Sequence, residues 1–76
     1  MLVKDFINAI NVDLLNLSYI RLLYSEESMI TDYVGSKYST KDIDNLIKDA
    51  GDREIKEVRY ANIDDVYVML IYTEKK

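Results

Sequence analysis

The side chains of this chain that could do chemistry are carboxylates, lysines and tyrosines, because the sequence contains no histidine and no cysteine. Histidine is the commonest general base and nitrogen ligand of metals, and cysteine supplies the thiolate nucleophile. Their absence excludes the usual serine and cysteine catalytic pairs and the usual zinc sites. The only glycines, Gly35 and Gly51, are too few for a phosphate-binding loop. We therefore expect no enzymatic activity, no metal and no cofactor.

Two short acidic segments need a separate interpretation. Asp42 and Asp44 have the alternation with which an EF-hand calcium loop begins. That loop would also need a glycine at position 47 and a glutamate at position 53, where this chain has Ile47 and Arg53. We interpret Asp42 and Asp44 as carboxylates in the first turn of a helix, where negative charge is favourable. The pair Asp64-Asp65 indicates a turn.

Length and charge limit the fold and the partners. With 76 residues, the chain forms one domain over residues 1–76 and is expected to leave apolar surface uncovered, because domains of this size bury only about 60% of the surface of the unfolded chain. The net charge of −4 disfavours binding to phosphate backbones, so no direct nucleic-acid binding is expected. No stretch has the length of a membrane span or the pattern of a signal peptide, which indicates a cytoplasmic protein without membrane contact.

The elements that must position these side chains are two helices and four strands. Apolar residues recur at helical spacing in two segments, one over roughly the first ten residues and one ending at Gly51 in the left-handed conformation, with Ser39 or Thr40 as its cap. The two apolar faces are Val3, Phe6, Ile7 and Ile10, and Ile43, Leu46, Ile47 and Ala50. A turn is predicted at 11–16, and strands are predicted at 17–24, 29–34, 53–61 and 66–72. The last strand is an unbroken apolar run, which is typical of a strand covered on both faces.

The order helix, hairpin, helix, hairpin predicts an α+β domain. Two amphipathic helices would cover one face of a mainly antiparallel four-stranded sheet. The turn of the second hairpin lies within residues 62–65, and its register stays open. If Ile63 and Asp64 form the turn, Tyr60 pairs with Tyr67 and both join the core face. Each register leaves an apolar strip uncovered: Val66, Val68 and Leu70 in this one, and Tyr67, Met69 and Ile71 in the other.

Uncovered apolar strand surface with many tyrosines is typical of a protein-binding surface. Spaced carboxylates around it would steer the protein toward a basic groove built for nucleic acid. The predicted partner-binding residues are the apolar anchors Tyr24, Tyr33, Tyr67 and Met69 and the carboxylates Glu26, Glu27, Asp42 and Asp44.

The chain opens with Val3-Lys4-Asp5-Phe6-Ile7 and closes with Glu54-Ile55-Lys56-Glu57-Val58 leading to Asp64-Asp65-Val66-Tyr67-Val68. In this order and in its Lys, Ile, Asn and Tyr bias it resembles the small acidic proteins of phages and mobile elements of low-GC Gram-positive bacteria. That resemblance implies a role in blocking a host protein, as anti-CRISPR inhibitors do, and placement in the host cytoplasm.

Two functions are therefore expected from the sequence. The first is a non-enzymatic inhibitor that binds a host protein, for example a nucleic-acid-binding defence effector. The alternative is a structural or regulatory homo-oligomer, such as a homodimer, whose uncovered sheet surface is its own interface.

Overall fold

The computed structural model describes residues 1–10, 17–26, 28–34 and 40–75, and its elements follow the predicted order. The elements are α1 (Val3–Ala9), β1 (Tyr19–Tyr24), β2 (Met29–Val34), α2 (Thr40–Ala50), β3 (Glu54–Ile63) and β4 (Val66–Glu74). The predicted turn at 11–16, the helix cap at Ser39 and the partner-binding residue Glu27 lie outside the described residues. Among the described segments, no helix combines the length and the apolar character needed to cross a membrane.

Both helices pack on the same face of the sheet. Val3 and Ile7 of α1 are buried, as are Leu46 and Ala50 of α2, and the rest of each predicted apolar face packs against them. They share one core cluster with residues from the two central strands, namely Ile20, Leu22, Met69 and Ile71. The helical spacing read from the sequence therefore identified the buried face of each helix.

Gly51 directly follows α2. Its conformation shows that the predicted left-handed end of this helix was wrong. Its φ is not in the left-handed region. A side chain is excluded for another reason, since a Cβ on Gly51 would lie 2.3 Å from the carbonyl oxygen of Ile47. The Gly51 N–H donates to that same oxygen at 2.8 Å, and the Gly51 carbonyl accepts from the Lys4 N–H at 3.0 Å. Glycine is therefore needed because the backbone at position 51 lies against the last turn of α2.

The sheet has the strand order β2-β1-β4-β3 and is mixed. Each hairpin is antiparallel, as predicted, but the central pair β1 and β4 is parallel, from Tyr19 beside Val68 to Tyr24 beside Thr73. The prediction of a mainly antiparallel sheet was therefore incomplete. The unbroken apolar run 66–72 belongs to an interior strand, and Val68 and Met69, which point to opposite faces, are both fully buried.

The turn between β3 and β4 consists of Asp64 and Asp65. The register that places Ile63 and Asp64 in the turn is therefore wrong. Ile63 pairs with Val66, and Tyr60 pairs with Met69 instead of Tyr67. The shift is two residues, so each side chain keeps its face. The side chains of Tyr60, Tyr67 and Met69 still lie on the helix-covered face, as that register expected.

Candidate protein-binding surface at the tip of the second hairpin

The second hairpin extends beyond the rest of the sheet. The ladder between β1 and β4 begins at Val68, and beside it the Ser18 N–H donates to the Tyr67 carbonyl at 2.8 Å. Among the residues that the structure describes, 62–66 pair only within their own hairpin. We call residues 60–67 the hairpin tip.

The hairpin tip carries exposed apolar side chains on both of its faces. On the helix-covered face, burial is complete at Met69, whereas Tyr67 is 51% exposed and Tyr60 is 61% exposed. These two tyrosines are diagonal neighbours, because Tyr60 pairs with Met69, two positions along from Tyr67. Ile63, on the opposite face, is 43% exposed. A projection that is apolar on two sides can bury both sides only by entering a concave surface.

Two carboxylates form the apex of the hairpin tip. Asp64 and Asp65 are exposed and have φ values of 51° and 64°, the left-handed conformation that a two-residue hairpin turn requires at both positions. Within the described residues, neither carboxylate is in an ion pair. By contrast, the arginines are each held by a carboxylate elsewhere, in the pairs Arg21–Asp32, Arg53–Glu26 and Arg59–Glu57. The apex is therefore a site of uncompensated negative charge beside apolar side chains.

Two of the predicted anchors are core residues, which corrects their assignment. Met69 is fully buried and Tyr33 is almost so. The Tyr33 hydroxyl donates to Asp49 Oδ2 at 2.9 Å and fixes β2 to α2. Burial, together with this bond to a carboxylate, raises the pKa of Tyr33 above its ordinary value. Tyr33 and Met69 are thus occupied inside the domain because the helices cover this part of the sheet.

Tyr24 and Glu26 lie at the opposite end of the sheet and bind Arg53. The Arg53 guanidinium lies over the Tyr24 ring, 4.5 Å from its centroid, and donates to Glu26. Arg53 Nε also donates to Thr73 Oγ1 at 3.0 Å, and the Thr73 hydroxyl donates to the Leu23 carbonyl at 3.1 Å. The bond from Arg53 lowers the pKa of Glu26. This end of the molecule is therefore closed by its own side chains.

The two predicted helical carboxylates lie on α2. Asp42 is half-buried and Asp44 is exposed, and both lie near the start of α2. Of the described residues predicted to bind a partner, Tyr67 alone belongs to the hairpin tip. The structure therefore does not gather the predicted residues into one surface.

A groove of about 710 Å³ lies at the end of the sheet where Tyr24 and Thr73 contact Arg53. Its lining includes Leu23 and Tyr72, and its ionisable lining groups are Lys56 and Glu57 besides the tyrosines. Lys56 Nζ lies 3.7 Å from a Glu74 carboxylate oxygen, and Glu57 accepts from Arg59 Nε at 2.6 Å. Both groups are thus engaged in ion pairs.

Among the described residues, no group of three or more acidic, histidine or cysteine side chains could hold a metal ion.

Sequence reasoning missed Tyr60 and Ile63 as surface residues and gave Asp64 and Asp65 a role in the turn alone. The structure shows the reason for their exposure in its strand lengths. β3 and β4 have 10 and 9 residues, whereas β1 and β2 have 6 each. A hairpin longer than its neighbours must extend past them, and the residues at its turn are then the ones left uncovered.

Comparison of the chain with protein-family models, with curated proteins and with solved structures finds no match. The geometry of the hairpin tip is therefore the basis on which a function can be proposed.

Proposed function

We propose that the protein is a non-enzymatic inhibitor that binds another protein by inserting its hairpin tip into a groove. The observation that carries the proposal is the projecting tip, with exposed Tyr60, Ile63 and Tyr67 around an acidic apex. Tyrosine is among the residue types that dominate binding energy in protein interfaces, since it buries a large area and orders few rotatable bonds.

The shape and charge of the tip define the kind of groove that it fits. Two paired strands form a wedge about 10 Å wide, given the strand spacing of about 4.8 Å and about half that width beyond each strand. Asp64 and Asp65 would enter first and favour a groove with lysine or arginine at its floor or rim. Clefts that bind nucleic acid have this charge, so the tip would compete there with a phosphate backbone.

The resemblance to small acidic phage and mobile-element proteins suggests the first class of target to test. Anti-CRISPR inhibitors belong to that group, and CRISPR effectors hold nucleic acid in basic channels. The proposed partner is therefore a nucleic-acid-binding host defence protein in the cytoplasm of a low-GC Gram-positive bacterium.

The test is affinity capture from a lysate of such a host, comparing wild type with two variants. Tyr67→Lys changes the tip, and Ile30→Lys is the matched control, because Ile30 is an equally exposed apolar strand residue on the far edge of the sheet. Loss of a central tyrosine anchor costs at least about 2 kcal/mol, or roughly 30-fold in affinity. We expect one stoichiometric protein to be retained by wild type and Ile30→Lys and lost with Tyr67→Lys. Equal loss or equal retention in both variants contradicts the proposal.

Salt dependence provides a second readout on the captured protein. Replacing Asp64 and Asp65 by Asn removes the charge of the apex and keeps its size. We expect slower association and a weaker dependence on ionic strength in this variant, because exposed charges act mainly on the encounter rate.

The alternative function, a homo-oligomeric domain without an inhibitory role, is favoured by a different feature, the edge strand β2. A protein whose only captured partner is itself, with no effect of Tyr67→Lys on function in the host, would support that alternative.

A further inference from the structure

Within the described residues, the strand β2 pairs only with β1, and its free edge lacks the usual protection against strand pairing. It is an outer strand of the sheet, and its first two residues, Met29 and Ile30, are 46% and 56% exposed. Natural edge strands are protected by lysine, proline, bulges or a covering segment. β2 contains no lysine or proline, and its pairing with β1 has no register shift. Its one charged residue, Asp32, is held by Arg21 through two hydrogen bonds of 2.9 and 3.2 Å.

The other outer strand, β3, is protected by several of these devices. Leu2 forms a β-bridge with Glu54, and the Ile55 N–H donates to the Met1 carbonyl at 2.9 Å, so a chain segment covers the start of the edge. The pairing of β3 with β4 shifts its register between Ile55 and Glu57. The strand also carries Lys56 and Arg59. The contrast between the two edges indicates that β2 is kept open for pairing.

We infer that β2 pairs with β2 of a second copy of this chain, antiparallel, with a two-fold axis at Thr31. A two-fold axis that joins two edge strands is perpendicular to the sheet, so it opposes only residues that point to the same face. Centring on Thr31 opposes Met29 with Tyr33 and Ile30 with Asp32, and it uses five residues of the strand. Centring on Asp32 would oppose two carboxylates, and centring on Ile30 would pair only three strand residues. The Thr31 register is thus the longest pairing without a like-charge clash.

The resulting dimer would have one continuous eight-stranded sheet. Its outer hairpins would be separated by six strand spacings, or about 29 Å, and their tips would point in opposite directions. If the hairpin tip is the binding surface proposed above, the dimer offers two binding sites that cannot enter one groove together. Only this consequence rests on the proposed function, because the pairing itself is tested on the protein alone.

Disulfide trapping tests the pairing and its register. The chain has no cysteine, so a single introduced cysteine can form only an intermolecular disulfide. At the axis, two copies of Thr31→Cys would have Cα atoms about 4.5–5.5 Å apart, within the range that a disulfide spans. The control Ile30→Cys is more exposed, yet its copies would be about 8 Å apart, given a two-residue offset along the strand and one strand spacing.

We expect Thr31→Cys to form a disulfide dimer under mild oxidation at least tenfold faster than Ile30→Cys, with both variants folded by circular dichroism. Equal rates overturn the inference. Sedimentation of wild type gives an independent result. A pairing over five residues of each strand is a small interface, so we expect a reversible dimer with a dissociation constant of about 10–100 µM. A single monomeric species at about 500 µM overturns the inference, as does a monomer whose β2 edge binds only an extended peptide of another protein.

Discussion

The turn at the hairpin tip is strained, and relieving the strain gives a sharp prediction. Asp64 and Asp65 both have left-handed φ values, and Asn-Gly is the sequence that such a two-residue turn prefers. We predict that the double variant Asp64→Asn with Asp65→Gly is more stable than wild type. The same change removes both carboxylates from the apex.

The size of the gain follows from the backbone conformation. A left-handed residue other than glycine costs about 1–2 kcal/mol, with aspartate and asparagine at the low end of that range. Glycine relieves this cost at one position but loses about 0.5–1 kcal/mol of chain entropy on folding. Removing the repulsion between adjacent carboxylates adds a small gain, so the net expectation is about 0.5 kcal/mol. In a domain of this size that raises the Tm by about 2–4 °C.

Thermal and urea unfolding followed by circular dichroism measure this gain. The matched control is Asn62→Gly, two residues before the turn, where the chain is in β3 and Asn62 pairs with Tyr67. Glycine within a strand is expected to lower stability by about 0.5–1 kcal/mol. A double variant that loses stability as the control does would refute the reasoning, because Asp65 would then lie in a strand and the turn elsewhere.

Three further predictions concern the body of the domain. Gly51→Ala is expected to destabilise the fold by about 1–3 kcal/mol, since its Cβ would meet the Ile47 carbonyl; unchanged urea unfolding would contradict the close packing. Leu46→Ala removes a fully buried side chain and should cost about 2–5 kcal/mol of a total of about 4–11 kcal/mol, measured by the same unfolding. Arg53 lowers the pKa of Glu26, so their ion pair stabilises the fold above the ordinary glutamate pKa and is lost as the pH falls through the lowered value. Glu26→Gln should therefore flatten the loss of stability toward acid pH, and an unchanged acid profile would contradict this role.

The local elements of the fold could be predicted from the sequence because their signals are local. Helical spacing identified the buried faces of α1 and α2, and short polar breaks identified both hairpins. The parallel pairing of β1 with β4 was not predicted, since the direction in which one hairpin meets the other depends on the path through α2. The apolar run that became β4 did carry a signal for this arrangement, because parallel interior strands are covered on both faces.

The candidate site was predicted only in part, because a strand is about twice as long per residue as a helix and therefore extends beyond the helix that covers it. A helix of 7 residues such as α1 spans about 10 Å, whereas a strand of 9 residues such as β4 spans about 30 Å. Alternation places Tyr67 and Met69 on one face but does not tell where the covering helix ends. Met69 is therefore in the core and Tyr67 at the tip, although both were predicted as surface anchors.

Chemical-shift mapping would show whether the hairpin tip contacts the partner, on which the proposed function depends. Isotope-labelled protein would be titrated with the purified protein that wild type captures, and backbone amide shifts would be followed residue by residue. We predict that the largest changes lie within residues 60–67, with Ile63 and Tyr67 among them. Changes confined to β2, to the helices or to the end closed by Arg53 would contradict the account.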